Sequence, residues 1–153
     1  MAGAGVTGKG KVHRSPLHVM DIVPTVLELT GVKHPSASSN GKIMPMQGKS
    51  MLPLLAGKSK EVRDGNAWLA FELFGNRAVR QGDWKALSLL KAAGGKSDWQ
   101  LFNLREDPAE LHDLSVANPE KLKVLTALWE RYASDNGVVV SDAGPFADRS
   151  AAN

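Results

Sequence analysis

Between Ala67 and Leu104, apolar and aromatic residues come in short runs broken by Gly75-Asn76, Gly82-Asp83 and Gly94-Gly95. Antiparallel strands joined through tight turns produce this pattern. It predicts four strands, at Ala67–Leu73, Arg77–Gln81, Trp84–Leu90 and Trp99–Asn103. Trp68, Trp84 and Trp99 fall inside this meander, and large aromatics on a half-buried sheet face anchor a core. The cover for that face is predicted downstream. Asn118-Pro119-Glu120 offers a cap, a proline at the first helical position and an acid in the first turn. Leu122, Leu125, Leu128, Trp129 and Tyr132 then recur at helical spacing as one apolar stripe, and Asn136-Gly137 ends the helix.

The region before the meander has a different pattern. In LHVMDIVPTVLELTGV, residues 17–32, a helix is expected from near Asp21 to Thr30, with Asp21 as its cap, Pro24 in the first turn and Gly31 closing it. Ile22, Val23, Val26, Leu27 and Leu29 make it apolar nearly all round, so it is expected to be buried on more than one side. His34 to Pro53 reads as a linker, Ser50 to Leu55 as a short helical turn ended by Gly57, and Lys58 to Gly65 as charged and exposed. Val138–Val140 could add an edge strand, and the tail beyond it is rich in small residues.

Composition narrows the class. Charged residues make up 23% and hydrophobic residues 42% of the chain, which is ordinary for a folded domain, and no apolar run approaches the roughly 20 residues that span a bilayer. No membrane partner is expected. The absence of cysteine removes disulfides, thiolate metal sites and thiol nucleophiles together. The net charge of +3 is scattered among acids, so no nucleic-acid partner is expected; Lys9, Lys11, His13 and Arg14 form the densest basic cluster and read as a solvated segment. MAGAGVTGKGKVHRS has basic residues without an apolar core, so it does not read as a signal peptide, and both the cytoplasm and the periplasm stay open.

The usual catalytic constellations do not close. His13, His18, His34 and His112 have no pair at the helical spacing of a zinc site, and Gly8-Lys9-Gly10-Lys11 lacks the spacing of a phosphate loop. Asp135-Asn136 could offer oxygen ligands to a hard cation, but the end of a helix explains both residues. Glu72, Asn76, Arg77 and Arg80 cluster around the first hairpin. Arg77 and Arg80 could bind an anion bidentately, or one of them could pair internally with Glu72 or Asp83. Glu72, Asn76 and Arg77 are the candidates for a substrate rim; no residue is a catalytic candidate.

Taken in order, HVMDIVPTVLELTGV, GKSMLPLLAGK, ELFGNRAVRQGDWKAL, WQLFNLREDPAELHDL and NPEKLKVLTALWERYASDNGV resemble the C-terminal part of type I sulfatases of the alkaline phosphatase-like superfamily, closest to bacterial arylsulfatases. The resemblance runs from His18 to about Val139. It implies an α+β unit in which a small four-stranded antiparallel sheet packs against a long C-terminal helix, preceded by a helix and linker left over from an α/β catalytic domain. The expected division is residues 1–35 as that remnant, 36–60 as linker, 61–137 as the C-terminal subdomain and 138–153 as tail.

The family hydrolyses sulfate esters with a formylglycine, made from a Cys or Ser two residues before a proline, beside a calcium ion. No Cys or Ser stands two residues before any of the eight prolines here, so both groups are expected in a catalytic domain that this chain lacks. The resemblance thus implies a support for the catalytic domain of an arylsulfatase, inactive alone, with that domain as partner. As a fragment, the chain is expected to associate with itself through residues 18–32 and the leucines at 52, 54 and 55. The alternative reading is an independent protein-interaction module built on the same sheet.

Overall fold

In the computed structural model, residues 10, 12–38 and 40–139 are described, so the expectations for the start and for the tail beyond Val139 lie mostly outside the described residues. The elements run α1 (Ile22–Thr30), α2 (Leu52–Leu55), β1 (Trp68–Leu73), β2 (Asn76–Gln81), β3 (Trp84–Ser88), β4 (Gln100–Asn103) and α3 (Pro119–Asn136). The chain divides into two compact units between Asp64 and Gly65.

In the C-terminal unit the four strands form one antiparallel sheet in the order β1-β2-β3-β4. The fold is therefore α+β, as the pattern predicts. The first turn is set one residue earlier than the Gly75-Asn76 break suggests. Leu73 pairs with Asn76, leaving Phe74 and Gly75 as the two turn residues, with φ of 55° and 84°. Both central residues of the hairpin turn that suits strand twist need positive φ; Gly75 meets that at no cost and Phe74 at some cost. β3 stops at Ser88 because Leu90 turns into the 3-10 turn Lys91–Ala93.

Alternation decides which side chains α3 covers. Ala70, Val79, Ala86 and Leu101 lie across from one another in register, and Leu125 and Trp129 of α3 pack onto them. Val79, Ala86, Leu101 and Leu125 have no exposure and Trp129 has 1%. Leu122, Leu128, Tyr132, Trp68, Trp84 and Trp99 close around this cluster. The Trp129 Nε1–H donates to the Phe71 carbonyl at 3.0 Å, so the one polar atom of the buried indole is satisfied. Asn118 precedes the helix without a side-chain capping bond, which leaves Pro119 at the first position as the start signal, and Gly137 ends the helix at φ 63°. Val138 packs on the core, but neither Val138 nor Val139 is in a strand, and Val140 lies outside the described residues.

In the N-terminal unit the central group is polar. Asp21 does not cap α1 with its side chain. Instead its fully buried carboxylate accepts the His18 N–H at 2.8 Å, the Lys49 N–H at 2.9 Å and both ends of the Arg63 guanidinium. The Thr25 hydroxyl donates to the Asp21 carbonyl and accepts the Met51 N–H. Two separate stretches, at Lys49–Met51 and at Arg63, are thus tied to one turn of chain. Gly48 is required beside it, since a Cβ there would lie 1.9 Å from the Met20 carbonyl oxygen. Arg63 belongs to the stretch expected to be exposed, yet its side chain is only 7% accessible, because a bidentate guanidinium fits a buried carboxylate in a way no surface cation needs to.

α1 is amphipathic in the inverse sense. Pro24 and Thr25 are its buried residues, while Ile22, Val23, Val26 and Leu29 stay 50–58% exposed. Leu54 is buried, in contrast to the expectation of an exposed leucine patch, and Leu52 and Leu55 are half-buried.

Two outcomes test this account. Trp129→Ala should cost the C-terminal unit about 3–5 kcal/mol, the usual range for deleting a buried large aromatic, read from chemical denaturation. Burial by itself would raise the Asp21 carboxyl, but the bonds from Arg63, Lys49 and His18 outweigh it and hold it below the ordinary carboxylate range. A depressed acid stabilises the fold above its unfolded value, about 3.9, and that contribution disappears as pH falls through the lower folded value. The N-terminal unit should therefore keep its Asp21 stabilisation at pH 5 and lose it in stronger acid. Asp21→Asn should cost about 3–5 kcal/mol at pH 7 by stranding Arg63, measured by amide exchange in residues 18–25.

Candidate functional site

The first hairpin brings Glu72, Asn76 and Arg77 together, and each already serves the fold. Glu72 and Arg77 are directly opposed in register, but the Glu72 carboxylate accepts the Gly75 N–H at 2.7 Å, closing the turn. Asn76 donates from Nδ2 to the Leu73 carbonyl at 3.1 Å and accepts the Leu90 N–H through Oδ1 at 3.0 Å. It therefore ties the hairpin to the connection between β3 and β4.

Arg77 lies on the α3 side of the sheet. Its guanidinium carbon is 5.2 Å from the centre of the Trp99 ring and 5.4 Å from that of Trp129, and the two indoles meet edge to face at 5.8 Å. Nη2 donates to the Ser88 hydroxyl at 3.1 Å, and that hydroxyl donates to the Ser97 carbonyl at 3.2 Å. Nε is buried without a hydrogen-bond partner. Two ring faces are the electrostatic substitute for an anion here, since the quadrupole of each attracts a planar cation. Neither internal ion pair considered for the arginines forms: Asp83 pairs with Arg105 at 2.7 Å, and Arg80 donates from Nε to the Gly82 carbonyl at 3.0 Å.

Spacing along the chain could not reveal the stack, because Arg77, Trp99 and Trp129 are far apart in sequence. The available signal was the in-phase placement of Arg77 with Val79 on one strand face.

The histidines do not converge, and among the described residues no group of three His, Cys, Asp or Glu side chains could hold a metal ion. Asp107 accepts the His112 N–H at 2.8 Å, which with the nearby imidazole holds its carboxyl low. Asp113 is also low: burial opposes the shift, but the Leu101 and Ser115 N–H groups prevail. Both carboxylates fasten the chain between β4 and α3. No Cys or Ser stands two residues before a proline in the sequence. What these polar groups can do is hold turns.

A small sheet under one long helix, preceded by a short apolar helix, is the arrangement in which comparison with known proteins becomes informative. Residues 5–136 match the family described as N-sulphoglucosamine sulphohydrolase, C-terminal. The chain belongs to that family. This sulfatase C-terminal chain is 36% identical over 124 residues to an uncharacterised sulfatase of Schizosaccharomyces pombe, covering 80% of the chain and 22% of the relative. It is 31% identical over 120 residues to arylsulfatase K of Danio rerio, covering 74% and 21%. Among solved structures, Ps i-CgsB superposes with a TM-score of 0.60 at 27% identity, over 80% of this chain and 25% of that one. The sulfatase C-terminal chain thus spans about a fifth to a quarter of these relatives.

If Arg77 is held by ring faces, Arg77→Met should lower stability by about 1–2 kcal/mol and shift tryptophan emission, and Arg77→Lys should restore little, since an ammonium lacks the planar face. Denaturation followed by fluorescence would check both.

Proposed function

We propose that this chain is the non-catalytic C-terminal subdomain of an arylsulfatase, a sulfuric ester hydrolase, and that it supports a catalytic α/β domain. The observation that carries the reading is α1. A helix that turns Pro24 and Thr25 inward and four large aliphatics outward suits a body packed on that outer side, and family membership supplies the kind of body. Calcium and formylglycine would then belong to the catalytic domain, a reading supported by the lack of a group of three His, Cys, Asp or Glu fit for a metal among the described residues and of a Cys or Ser two residues before any proline. In this reading the first hairpin lies near the substrate cleft, and Glu72, Asn76 and Arg77 act there by holding the hairpin in shape.

Without its partner, the exposed stripe of Val19 and the α1 residues Ile22, Val23, Val26 and Leu29 drives self-association. The isolated chain should form homo-oligomers at high micromolar concentration, and Val23→Glu with Val26→Glu should return it to monomer in light scattering.

The decisive assay compares three proteins on a chromogenic aryl sulfate with calcium present: the chain alone, zebrafish arylsulfatase K lacking the matched segment, and that enzyme with this chain grafted in its place. The expected result is no turnover by the first two and recovery in the graft. Turnover by the chain alone, or full activity of the deleted enzyme, would overturn the proposal.

A further inference from the structure

We infer that Asn40 is a site of covalent modification, hydrolytic deamidation to aspartate and isoaspartate, and that the fold confines this chemistry to one of two Asn-Gly pairs. The pairs are Asn40-Gly41 and Asn136-Gly137. Glycine after asparagine favours the reaction, because it has no side chain to hinder approach to the carboxamide.

The step balances with water as its one co-reactant. The glycine nitrogen loses its proton to base and attacks Cγ of the preceding asparagine. A C–N bond forms, closing a succinimide, and the Cγ–Nδ2 bond breaks to release ammonia. Water then opens the ring, giving aspartate by cleavage at Cγ and isoaspartate by cleavage at the main-chain carbonyl. Either product carries a new carboxylate and lowers the net charge of +3 by one.

This sequence needs a glycine N–H that is free and a carboxamide that can swing onto it. Asn40 and Gly41 have φ of 48° and 81°, the conformations that a tight turn asks for and that these two residue types tolerate best. Both are exposed, and a Cβ at Gly41 would meet nothing within 4 Å. Among the described residues, neither the Asn40 carboxamide nor the Gly41 N–H has a hydrogen-bond partner. The turn chemistry that selects Asn-Gly therefore also leaves it open to attack.

Asn136-Gly137 is exposed as well, but it is fastened. Asn136 Nδ2 donates to the Tyr132 carbonyl at 2.8 Å, and the Gly137 N–H donates to the Ala133 and Ser134 carbonyls. The Val138 N–H reaches the Ala133 carbonyl at 2.9 Å, and its side chain packs on the core. The end of α3 must fray before the Gly137 nitrogen can turn to the Asn136 side chain. One ordinary hydrogen bond opposes opening by a factor of about five, so the bonds of the carboxamide and of the Gly137 N–H together slow the reaction about thirtyfold.

The test incubates the full chain in mildly alkaline buffer at body temperature, followed by tryptic digestion and mass spectrometry. The peptides His34–Lys42 and Tyr132–Arg149 each contain a single asparagine, so the mass gained as carboxamide becomes carboxylate is read separately for each. Asn40 should convert about thirtyfold faster than Asn136, and the two rates should come together in concentrated guanidinium chloride, where only local sequence remains. Equal rates in the folded chain would overturn the inference, as would a ratio that survives in denaturant. Asn40→Gln, whose longer side chain closes the ring poorly, gives a second measurement: the acidic form that accumulates first on ion exchange should disappear. Its persistence at the same rate would show that the modified residue is not Asn40.

Discussion

The C-terminal unit depends on a single indole. Trp129 is buried against Val79 and Leu101, which holds α3 against the sheet, and its Nε1–H reaches the Phe71 carbonyl on the edge strand. Because the bond goes to backbone, it fixes where β1 sits under the helix regardless of the side chain at 71. The ring then offers its face to Arg77, with Trp99 as the second plate. Ser88 and Ser97 extend the chain of contacts into the connection between β3 and β4. Core packing and hairpin geometry are therefore one problem with one solution, and a change at the indole reaches the turn residues through Arg77.

The N-terminal unit is held together by the opposite kind of interaction. A fully buried carboxylate at Asp21 gathers Arg63, the Lys49 and His18 amides and, through its own carbonyl, Thr25. Buried ion pairs gain little net energy, but they are expensive to break and they demand one arrangement. That suits a segment with little apolar interior of its own: the aliphatic side chains of α1 are turned outward, so polar bonds hold the local geometry.

These two devices favour support over catalysis. Within each unit the charged groups one would test as catalytic or substrate-binding are occupied: Asp21 by Arg63, Glu72 by a turn amide, Arg77 by ring faces, and Asp107 and Asp113 by loop amides. The surfaces left unsatisfied are apolar. A sulfatase C-terminal chain that presents apolar side chains on α1 and keeps these charges paired is equipped to be packed upon.

Local pattern was enough to determine the four strands, the α3 stripe and the helix around residues 22–30, because alternation and helical periodicity record which side of an element meets a core. The order of five family segments carried the assignment to sulfatases. Turn chemistry was less visible: Phe74 at positive φ follows from the Leu73–Asn76 pairing, not from the preference of phenylalanine. Tertiary structure alone decided the partners of Asp21, Arg63 and Arg77. Asp21 looks like a helix cap and Arg63 like a surface cation until the fold brings residues 42 positions apart within hydrogen-bonding distance. Long-range pairing of that kind leaves no period in a sequence, since the physical requirement is only that opposite charges or ring faces arrive at the same buried place.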